Sequence, residues 1–381
     1  MAKAKRSFRV GISGSYGGLN LGDEAILRGI VTQLRRSTRV EITVFSRDAE
    51  DTRRRHEVER VVPVRRLSRG EVVPEVKRLD LFILGGGGIL FDGEAQTFLR
   101  EVMLAHEHRI PVLVYAISAG PLRDPATQRA VREALDAAAV VSVRERGARQ
   151  ILEEIGVHRE IIVTADPALL LEPEPLPADA LKREGLDSKR HLIAMSVREP
   201  GAAAPDISED DYHRILADAA DFMVDRYDAE VVFVPMEPKV MDVQQCHAVM
   251  ARMLRAQRAT VLRGEYSASQ LLTLTKQFSF AVGMRLHFLI FASLQNVPFV
   301  ALPYAPKVTG FLEDMQMVMP PLLQVNAGRL VAYIDQAWDR RRQLQGKIKR
   351  ATPPLKERAL QTNEFAVRLL TQSVTGLRGV A

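Results

Sequence analysis

The stretch "FAVGMRLHFLIF", residues 280–291, contains the pattern from which the fold of this chain can be predicted. A strand-like apolar run beginning at Phe278 ends at Gly283, and a longer apolar run begins immediately after Arg285 and His287. A short apolar run that stops at a glycine is typical of a buried β-strand, and the longer run predicts a helix. Arg285 and His287 therefore lie where a strand ends and a helix begins.

The same alternation of strand and helix patterns repeats along the chain. Further strand patterns cover residues 8–12, 40–45, 79–84, 112–117, 140–143, 192–197, 231–234, 260–262 and 299–302. Such alternation predicts parallel sheets covered by helices. We therefore predict an α/β fold with two Rossmann-like domains, whose parallel sheets face a cleft, and a C-terminal helical tail.

A linker is predicted between the two halves. The segment after Leu171, "EPEPLPADALKREGLDSKR", is rich in proline and charge and has no strand pattern. The predicted domains are residues 1–175 and 190–345, followed by a tail at residues 346–381. Within the mostly helical region from Ala327 onward, Pro353 and Pro354 are predicted to separate a long helix from a final one. By analogy with two-Rossmann glycosyltransferases, the tail would brace the first domain.

Composition limits the class of protein. The 381 residues are 46% hydrophobic and 26% charged, which is typical of a globular protein. No apolar segment reaches the roughly 18 residues of a spanning helix. The start, "MAKAKRSFRV", lacks the apolar core of a secretory signal, and Cys246 is the single cysteine, so we expect a soluble cytoplasmic protein. The net charge of +6 favours an anionic partner, although a solvated basic surface is the more ordinary explanation.

Ligands of parallel α/β sheets bind beyond the carboxyl ends of the strands, so the residues that follow each strand are the candidates for a site. In the first half these are the loop "SGSYGGLNLGDEA" (residues 13–25), the run Gly85–Gly88, and Arg144. In the second half they are cations, one carboxylate and one imidazole: Arg198, Glu237, Arg285, His287 and Lys307. The pattern predicts glycine loops on one side of a cleft and basic residues on the other.

Structural roles for the same residues are open alternatives. Arg285 can form an ion pair and His287 can be a buried, hydrogen-bonded histidine. Asn20 and Asp23 can cap the helix predicted at residues 21–36, and Asp166 with the following proline resembles a turn. Neither G-x-G-x-x-G nor the P-loop pattern occurs, and no cluster of residues has metal-ligand spacing, so no metal or other cofactor is predicted.

Several motifs taken together resemble the polysaccharide pyruvyl transferase family. They are "GSYGGLNLGDEAIL", "LFILGGGGILFD", "VSVRERGARQILEEIGV", "TADPALLL" and "GMRLHFLIFASLQNVPFVALPYAPKVTGF", in the family's order, from about residue 10 to residue 311. The resemblance implies a fold like that of GT-B glycosyltransferases. It also implies transfer of pyruvate from phosphoenolpyruvate, as a ketal, onto a sugar of a cell-surface polysaccharide or of its lipid-linked precursor.

The resemblance also implies roles for particular residues. Arg144, Arg285 and His287 fall at the catalytic and donor-binding positions, with Leu286 and Lys307 as further donor-binding candidates. The acceptor candidates are Asn20, Gly22, Asp23, Gly86 and Gly87. Arg198 on the donor side and Glu237 on the acceptor side are added from their strand-end positions and not from the resemblance. By this comparison the first domain is the acceptor side and the second is the donor side. His287 is the expected acid/base catalyst, since an imidazole can give a proton in one step and recover it in another.

Two other functions compete with this hypothesis. A GT-B glycosyltransferase that uses a nucleotide sugar would share the fold and a basic cleft. A non-catalytic protein that binds polysaccharide or nucleic acid would use the positive charge, although we expect no nucleic-acid partner. Peripheral contact with the inner face of the cell membrane, through the basic residues 3–6, is a further expectation. The Arg-rich section at residues 53–78 matches no motif of the family.

Overall fold

The structure is a computed structural model that describes residues 7–186, 190–199, 207–238, 241–317 and 326–376. These residues form two compact units. The first unit comprises the described residues at 7–19, 23–171 and 355–376, and the second comprises 20–22 and those within 172–354. Each unit has its own parallel sheet and its own apolar core.

The first unit contains a parallel sheet of eight strands among its described residues. The strands are β1 (Phe8–Ser13), β2 (Val40–Ser46), β3 (Arg60–Pro63), β4 (Leu81–Leu84), β5 (Gly87–Leu90), β6 (Val112–Ala119), β7 (Val140–Val143) and β8 (Ile161–Val163). Their order is β3-β2-β1-β4-β6-β7-β8, and β5 pairs with β6. The helices are α1 (Leu21–Ser37), α2 (Ala49–Arg55), α3 (Arg69–Lys77), α4 (Ala95–Glu107), α5 (Pro125–Asp136) and α6 (Arg146–Glu154).

The second unit contains a parallel sheet of five strands among its described residues. The strands are β9 (His191–Ser196), β10 (Ala229–Phe233), β11 (Ala259–Val261), β12 (Phe280–Gly283) and β13 (Phe299–Ala301), in the order β11-β10-β9-β12-β13. The helices of this part of the chain are α7 (Ala180–Arg183), α8 (Glu209–Tyr227), α9 (Met241–Met250), α10 (Ala268–Thr275), α11 (Leu286–Leu294), α12 (Pro306–Asp314), α13 (Ala327–Asp339) and α14 (Arg341–Gly376).

Both sheets reverse their strand order at one point. In the first unit the chain leaves β1 toward β2 and β3 and later returns on the other side with β4. In the second unit the same reversal separates β9 from β12. Ligands of open α/β sheets bind at such reversals, so the loops that follow β1, β4, β9 and β12 are where a site is expected.

Tight packing explains why the stretch at residues 280–291 has a glycine at position 283. A Cβ atom at Gly283 would lie 2.7 Å from Leu289 and 2.8 Å from Phe288. Both side chains are fully buried in α11. Glycine at the end of β12 therefore lets the helix turn back directly onto the strand, as the sequence predicted.

Two helix starts follow from capping patterns in the sequence: Asp124 before Pro125, and Ser208 with Asp211 three residues later. Asp124 accepts a hydrogen bond from Thr127 N (2.7 Å) at the start of α5, and Ser208 accepts one from Asp211 N (3.1 Å) at the start of α8. The predicted linker contains the short helix α7, and its Glu184 carboxylate accepts hydrogen bonds from the backbone N–H groups of Arg263 and Gly264. The predicted linker is thereby fastened to the second unit.

Two helix predictions were wrong. The sequence pattern predicts a helix over residues 240–257, but the observed helix ends at Met250, and Val240 lies outside the described residues. The two prolines do not divide the tail, because α14 runs through Pro353 and Pro354. Each proline removes one helical hydrogen bond, but Ile348 and Leu355 are buried on either side, so packing holds the helix together. The division between the units falls next to these prolines, between Pro354 and Leu355.

Tyr16 packs against glycines of both loops at the reversal in the first unit, Gly14 after β1 and Gly85 after β4. Its side chain is fully buried, and its hydroxyl has no hydrogen-bond partner among the described residues. A Cβ atom at Gly85, just after β4, would lie 2.0 Å from that hydroxyl. Gly85 N also donates to Ser13 O (2.6 Å), which ties the loop after β4 to the end of β1.

We expect Gly85→Ala to lower the free energy of unfolding by about 1–3 kcal/mol, because the added methyl group overlaps the Tyr16 hydroxyl. Tyr16→Phe should cost little, since the hydroxyl makes no hydrogen bond with a described residue. In the Tyr16→Phe background the cost of Gly85→Ala should fall. Urea denaturation of the four proteins measures this coupling, and an equal cost in both backgrounds would contradict the assignment.

Candidate active site

Arg285 is anchored by carboxylates at the carboxyl end of β12. Its Nε donates to both oxygens of Asp242 (3.1 and 3.0 Å), and its Nη2 donates to Asp242 Oδ1. The same Nη2 lies 3.3 Å from Glu237 Oε2. Burial alone would lower the pKa of Arg285, but Asp242 outweighs it and raises that pKa, so the guanidinium stays charged. The ion-pair alternative for Arg285 is therefore observed.

Asp242 also binds backbone groups, in addition to its ion pair with Arg285. The fully buried carboxylate also accepts hydrogen bonds from the N–H groups of Met236 (3.0 Å) and Glu237 (3.2 Å). It thereby fixes the turn that follows β10. Sequence reasoning missed Asp242 because it lies in the first turn of α9, and no pattern connects it to Arg285.

The turn after β10 holds the start of α1. Met236 O accepts a hydrogen bond from Leu21 N (2.9 Å), and Glu237 Oε1 accepts one from Asn20 Nδ2 (2.7 Å). Asn20 Oδ1 in turn accepts from Gly22 N (2.9 Å), which is the helix-capping role left open by the sequence. Asn20, Gly22 and Glu237, all predicted acceptor residues, thus lie together in the second unit.

His287 packs against the first turn of α1. A Cβ atom at Gly22 would lie 1.8 Å from His287 Nδ1 and 2.4 Å from Cγ. Only glycine at this position allows the imidazole ring to occupy its observed place. Leu286, beside it, is a buried core residue of α11 and contributes no side chain to the surface of the site.

Two further cations surround Tyr304. The guanidinium carbon of Arg198 lies 4.4 Å from the centre of the Tyr304 ring, and Lys307 Nζ lies 5.6 Å from it. Arg198 follows β9 and also pairs with Glu199, while Tyr304 and Lys307 follow β13. Burial alone would raise the pKa of Tyr304, but Lys307, Arg198 and Arg285 outweigh it and lower that pKa.

Tyr212 fixes the loops that carry these cations. It is almost fully buried, and its hydroxyl lies 2.6 Å from both Arg198 O and the sulfur of Met284. These two contacts join the loop after β9 to the loop after β12, across the reversal in strand order. Neither Tyr212 nor Tyr304 was a candidate from the sequence. An apolar helix pattern concealed Tyr212, and Tyr304 was only part of a quoted motif.

Arg144 is anchored in the first unit in a similar way. Its Nε lies 3.1 Å from Glu145 Oε2, and its Nη1 donates to Asp166 Oδ2 (2.7 Å). Burial alone would lower the pKa of Arg144, but Asp166 and Glu145 outweigh it and raise that pKa. Asp166 also accepts from Ala168 N at the start of a 3₁₀ turn, so the turn assigned from the sequence orients this arginine as well.

The glycines of the run at residues 85–88 lie in different surroundings. A Cβ atom at Gly86 would lie 3.1 Å from Ile26 and 3.3 Å from two backbone oxygens of β6, so buried Gly86 has a packing role. Gly87 has a φ of +112°, and its Cβ position lies 3.3 Å from Asp23 Oδ1. Gly88, the last glycine of the candidate run, is exposed, and its Cβ position lies 3.9 Å from Arg144 Nη2.

The candidates thus fall into two groups. Asn20, Gly22, Arg198, Glu237, Arg285, Leu286, His287 and Lys307 belong to the second unit, whereas Asp23, Gly86, Gly87 and Arg144 belong to the first. Joint binding of one donor by Arg144, Arg285 and His287 stays a prediction. No group of three or more His, Cys, Asp or Glu side chains is placed to hold a metal ion within the described ranges. No helix in the described part of the chain is long and apolar enough to cross a membrane.

Solved structures share this fold at low sequence identity. The S. aureus protein MnaA with UDP is 12% identical, covers 96% of this chain and 98% of its own, and has a TM-score of 0.64. A glycosyltransferase from Rickettsia africae is 10% identical over 97% and 99%, with a TM-score of 0.63. The UDP-GlcNAc 2-epimerase from Neisseria meningitidis bound to UDP-GlcNAc is 10% identical over 96% and 99%, with a TM-score of 0.61.

These likenesses confirm the predicted α/β class with two Rossmann-like units of the GT-B kind and a C-terminal helix. The comparison with curated proteins gives no match. A sequence profile described as "Polysaccharide pyruvyl transferase" matches residues 20–306, about three quarters of the chain. The chain belongs to the polysaccharide pyruvyl transferase family.

Removing the Asp242 charge should destabilise the second unit strongly. Asp242→Asn leaves the buried Arg285 without its main counter-charge, and we expect a loss of about 3–5 kcal/mol in the free energy of unfolding. The double variant Asp242→Leu with Arg285→Met should lose less, because neither buried charge remains. Guanidinium denaturation followed by the single tryptophan, Trp338, reports the second unit. A double variant less stable than Asp242→Asn would show that the pair matters for another reason.

Tyr304 should be the first tyrosine to ionise. Of the seven tyrosines, five have pKa values raised by burial, at positions 16, 115, 212, 227 and 266, whereas the cations around Tyr304 lower its pKa. In an ultraviolet pH titration, Tyr304→Phe should remove the tyrosinate transition at lowest pH. Arg198→Gln should move that transition to higher pH. The exposed control Tyr333→Phe should leave it in place, and its loss in that control would refute the assignment.

Proposed function

We propose that this protein transfers the enolpyruvyl unit of phosphoenolpyruvate onto a sugar as a ketal and releases phosphate. The acceptor is a sugar of a cell-surface polysaccharide or of its lipid-linked precursor. The chemistry takes place in the cytoplasm, with peripheral contact at the inner face of the cell membrane. The basic residues 3–6 assigned to that contact lie outside the described residues.

The observation that carries the proposal is the convergence of cations around Tyr304 in the second unit, where His287 follows Arg285 by two residues. Arg198, Arg285 and Lys307 all influence one side chain, Tyr304, at the carboxyl ends of β9, β12 and β13. Phosphoenolpyruvate carries a carboxylate and a phosphate on a three-carbon frame. It therefore requires several cations at close quarters, and guanidinium groups bind such oxygens with directional hydrogen bonds.

The anchoring of Arg285 is compatible with a role in donor binding. Its Nε and Nη2 are occupied by Asp242, and no described residue accepts a hydrogen bond from Nη1. The edge formed by Nε and Nη2 is held, and Nη1 remains for a ligand. An arginine fixed in this way loses little conformational entropy when it binds an anion.

The proposed reaction has two steps, and each step includes two proton transfers. In the first, a sugar hydroxyl attacks C2 of the donor and gives its proton to a carboxylate, for which Asp23 and Glu237 are the candidates, while His287 protonates C3. In the second, another hydroxyl of the same sugar attacks C2 and gives its proton to His287. The C2–O bond to phosphate breaks, and the proton held by the carboxylate leaves with the phosphate. Lys307 offsets the charge on the departing phosphate.

We expect His287→Ala to abolish phosphate release from phosphoenolpyruvate while leaving donor binding within about threefold, because the cations remain. Lys307→Gln should instead weaken donor binding, and His247→Ala, an exposed histidine of α9, is the control. Phosphate release is measured with a panel of sugar acceptors, and donor binding by calorimetry. Near-normal turnover in His287→Ala would refute its role.

A nucleotide-sugar glycosyltransferase is the competing hypothesis, because the fold is shared. It predicts that UDP-sugars raise the melting temperature and that phosphoenolpyruvate does not. That outcome, with no phosphate released by the wild-type protein, would overturn the proposed function.

A further inference from the structure

Most arginines of the section at residues 53–78 have a structural partner. Arg54 and Arg55 bind Asp51, Arg60 binds Glu75, Arg69 binds Glu107, and Arg53 donates to Val61 O. These contacts account for exposed charges on the first unit. Arg65, like Arg53, forms no ion pair with a carboxylate among the described residues, but it stacks on an aromatic ring.

Arg65 lies two residues after β3, where it stacks on an aromatic ring. Its guanidinium carbon lies 4.8 Å from the centre of the Phe98 ring, and its Nη1 donates to Thr97 O (3.2 Å). Arg100 stabilises the turn that contains Arg65 by donating to Val64 O (2.7 Å) and Leu67 O (3.2 Å). The backbone around Arg65 is therefore fixed, and its position is not that of a free surface side chain.

Arg47 reaches the same ring from the end of β2. Its guanidinium carbon lies 5.6 Å from the centre of Phe98, and its Nη2 donates to Glu94 Oε2 (2.9 Å). Its Nε is buried and has no acceptor among the described residues. Its Nη1 lies 3.9 Å from the Cβ position of Gly18, an exposed residue of the glycine loop after β1.

Two guanidinium groups thus share one phenyl ring beside a glycine loop. Burial and then repulsion from Arg47 lower the pKa of Arg65, which shows that the two charges are close enough to interact unfavourably. The carboxylates of Glu101 and Glu94 act in the opposite direction, but the pKa of Arg65 stays lowered. An anion bound between the two arginines would offset their mutual repulsion, and a doubly charged oxyanion would accept from both.

The position in the sheet also indicates a ligand. β2 and β3 continue the sheet outward from β1, so Arg47 and Arg65 lie at carboxyl ends beside the reversal between β1 and β4. This edge is where open α/β sheets bind their ligands. Gly18 is exposed and leaves its part of the loop without a side chain, so an anion can approach the backbone there.

We propose that Arg47 and Arg65 form a binding site for a phosphate or diphosphate ester in the first unit. The site would hold the anionic group through which the acceptor sugar is attached to its carrier. This reading of the ligand rests on the proposed function, whereas the site itself rests on the two arginines. Diphosphate groups occur both on lipid carriers and on soluble nucleotide carriers, and the experiment below distinguishes them.

The first measurement is binding of inorganic pyrophosphate by calorimetry at low salt. Arg47→Gln and Arg65→Gln should each weaken binding by about tenfold to a hundredfold, because each removes charged hydrogen bonds. Arg65→Lys, which keeps the charge, should retain part of the affinity. Arg66→Gln removes the same charge from the neighbouring exposed residue and should change affinity by less than about twofold. Lys307→Gln is the control that detects any binding of pyrophosphate to the cations of the second unit.

The second measurement compares the KM of three acceptors: a sugar on a polyprenyl diphosphate in detergent micelles, the same sugar on a nucleoside diphosphate, and the free sugar. The arginine variants should raise the KM only for an acceptor with a diphosphate, and the acceptor affected identifies the carrier. An equal change for the free sugar, or pyrophosphate binding unaffected by both variants, would overturn the site.

Failure of the proposed function gives a different result. A wild-type protein that releases no phosphate from phosphoenolpyruvate with any acceptor, yet loses pyrophosphate affinity in both arginine variants, has the anion site without the proposed reaction. Melting temperatures of all variants are measured first. Arg47 is about one third exposed, so Arg47→Gln keeps the test decisive if Arg65→Gln is unstable.

Discussion

The buried ion pair between Asp242 and Arg285 is the constraint on which the candidate site depends. One fully buried carboxylate binds the arginine after β12 and two backbone N–H groups after β10. The turn fixed in this way holds Leu21 and Asn20 at the start of α1. Gly22 in that turn of α1 meets the His287 ring. The position of the histidine therefore follows from a charge pair several contacts away.

Such a pair is a poor source of stability, since burying both charges costs much of what their attraction returns. The pair matters because it fixes the orientation of the guanidinium. A guanidinium held through two of its three nitrogens presents its remaining N–H groups at a fixed angle. Arg144 shows the same arrangement in the first unit, where Glu145 and Asp166 hold two nitrogens and Nη2 lies nearest to exposed Gly88. Each sheet thus has one anchored arginine beyond a carboxyl end.

The sequence predicted those parts of the structure that depend on local pattern. Strands, helix starts and the strand-end positions of Arg144, Arg198, Arg285 and His287 all follow from apolar periodicity and capping residues. The family resemblance was confirmed over residues 20–306. Asp242 could not be found in this way, because its importance comes from a contact with a residue 43 positions away. Packing also overrode the prolines of α14, and it separated buried Gly86 from exposed Gly88.

The net charge was likewise a weak guide to function, because contacts that the sequence does not reveal decide which charges are paired. The chain has 53 basic and 47 acidic side chains, and many arginines in its basic section are paired with carboxylates on the surface. Exposed pairs of this kind contribute little to either stability or binding. A functional anion site instead requires cations that meet without enough carboxylate to neutralise them, on backbone that cannot relax. Arg198 and Lys307 around Tyr304 meet that condition, and so do Arg47 and Arg65 around Phe98. Both sets lie at carboxyl ends of strands, where the fold leaves room for a ligand, so local imbalance of charge is more informative than the total.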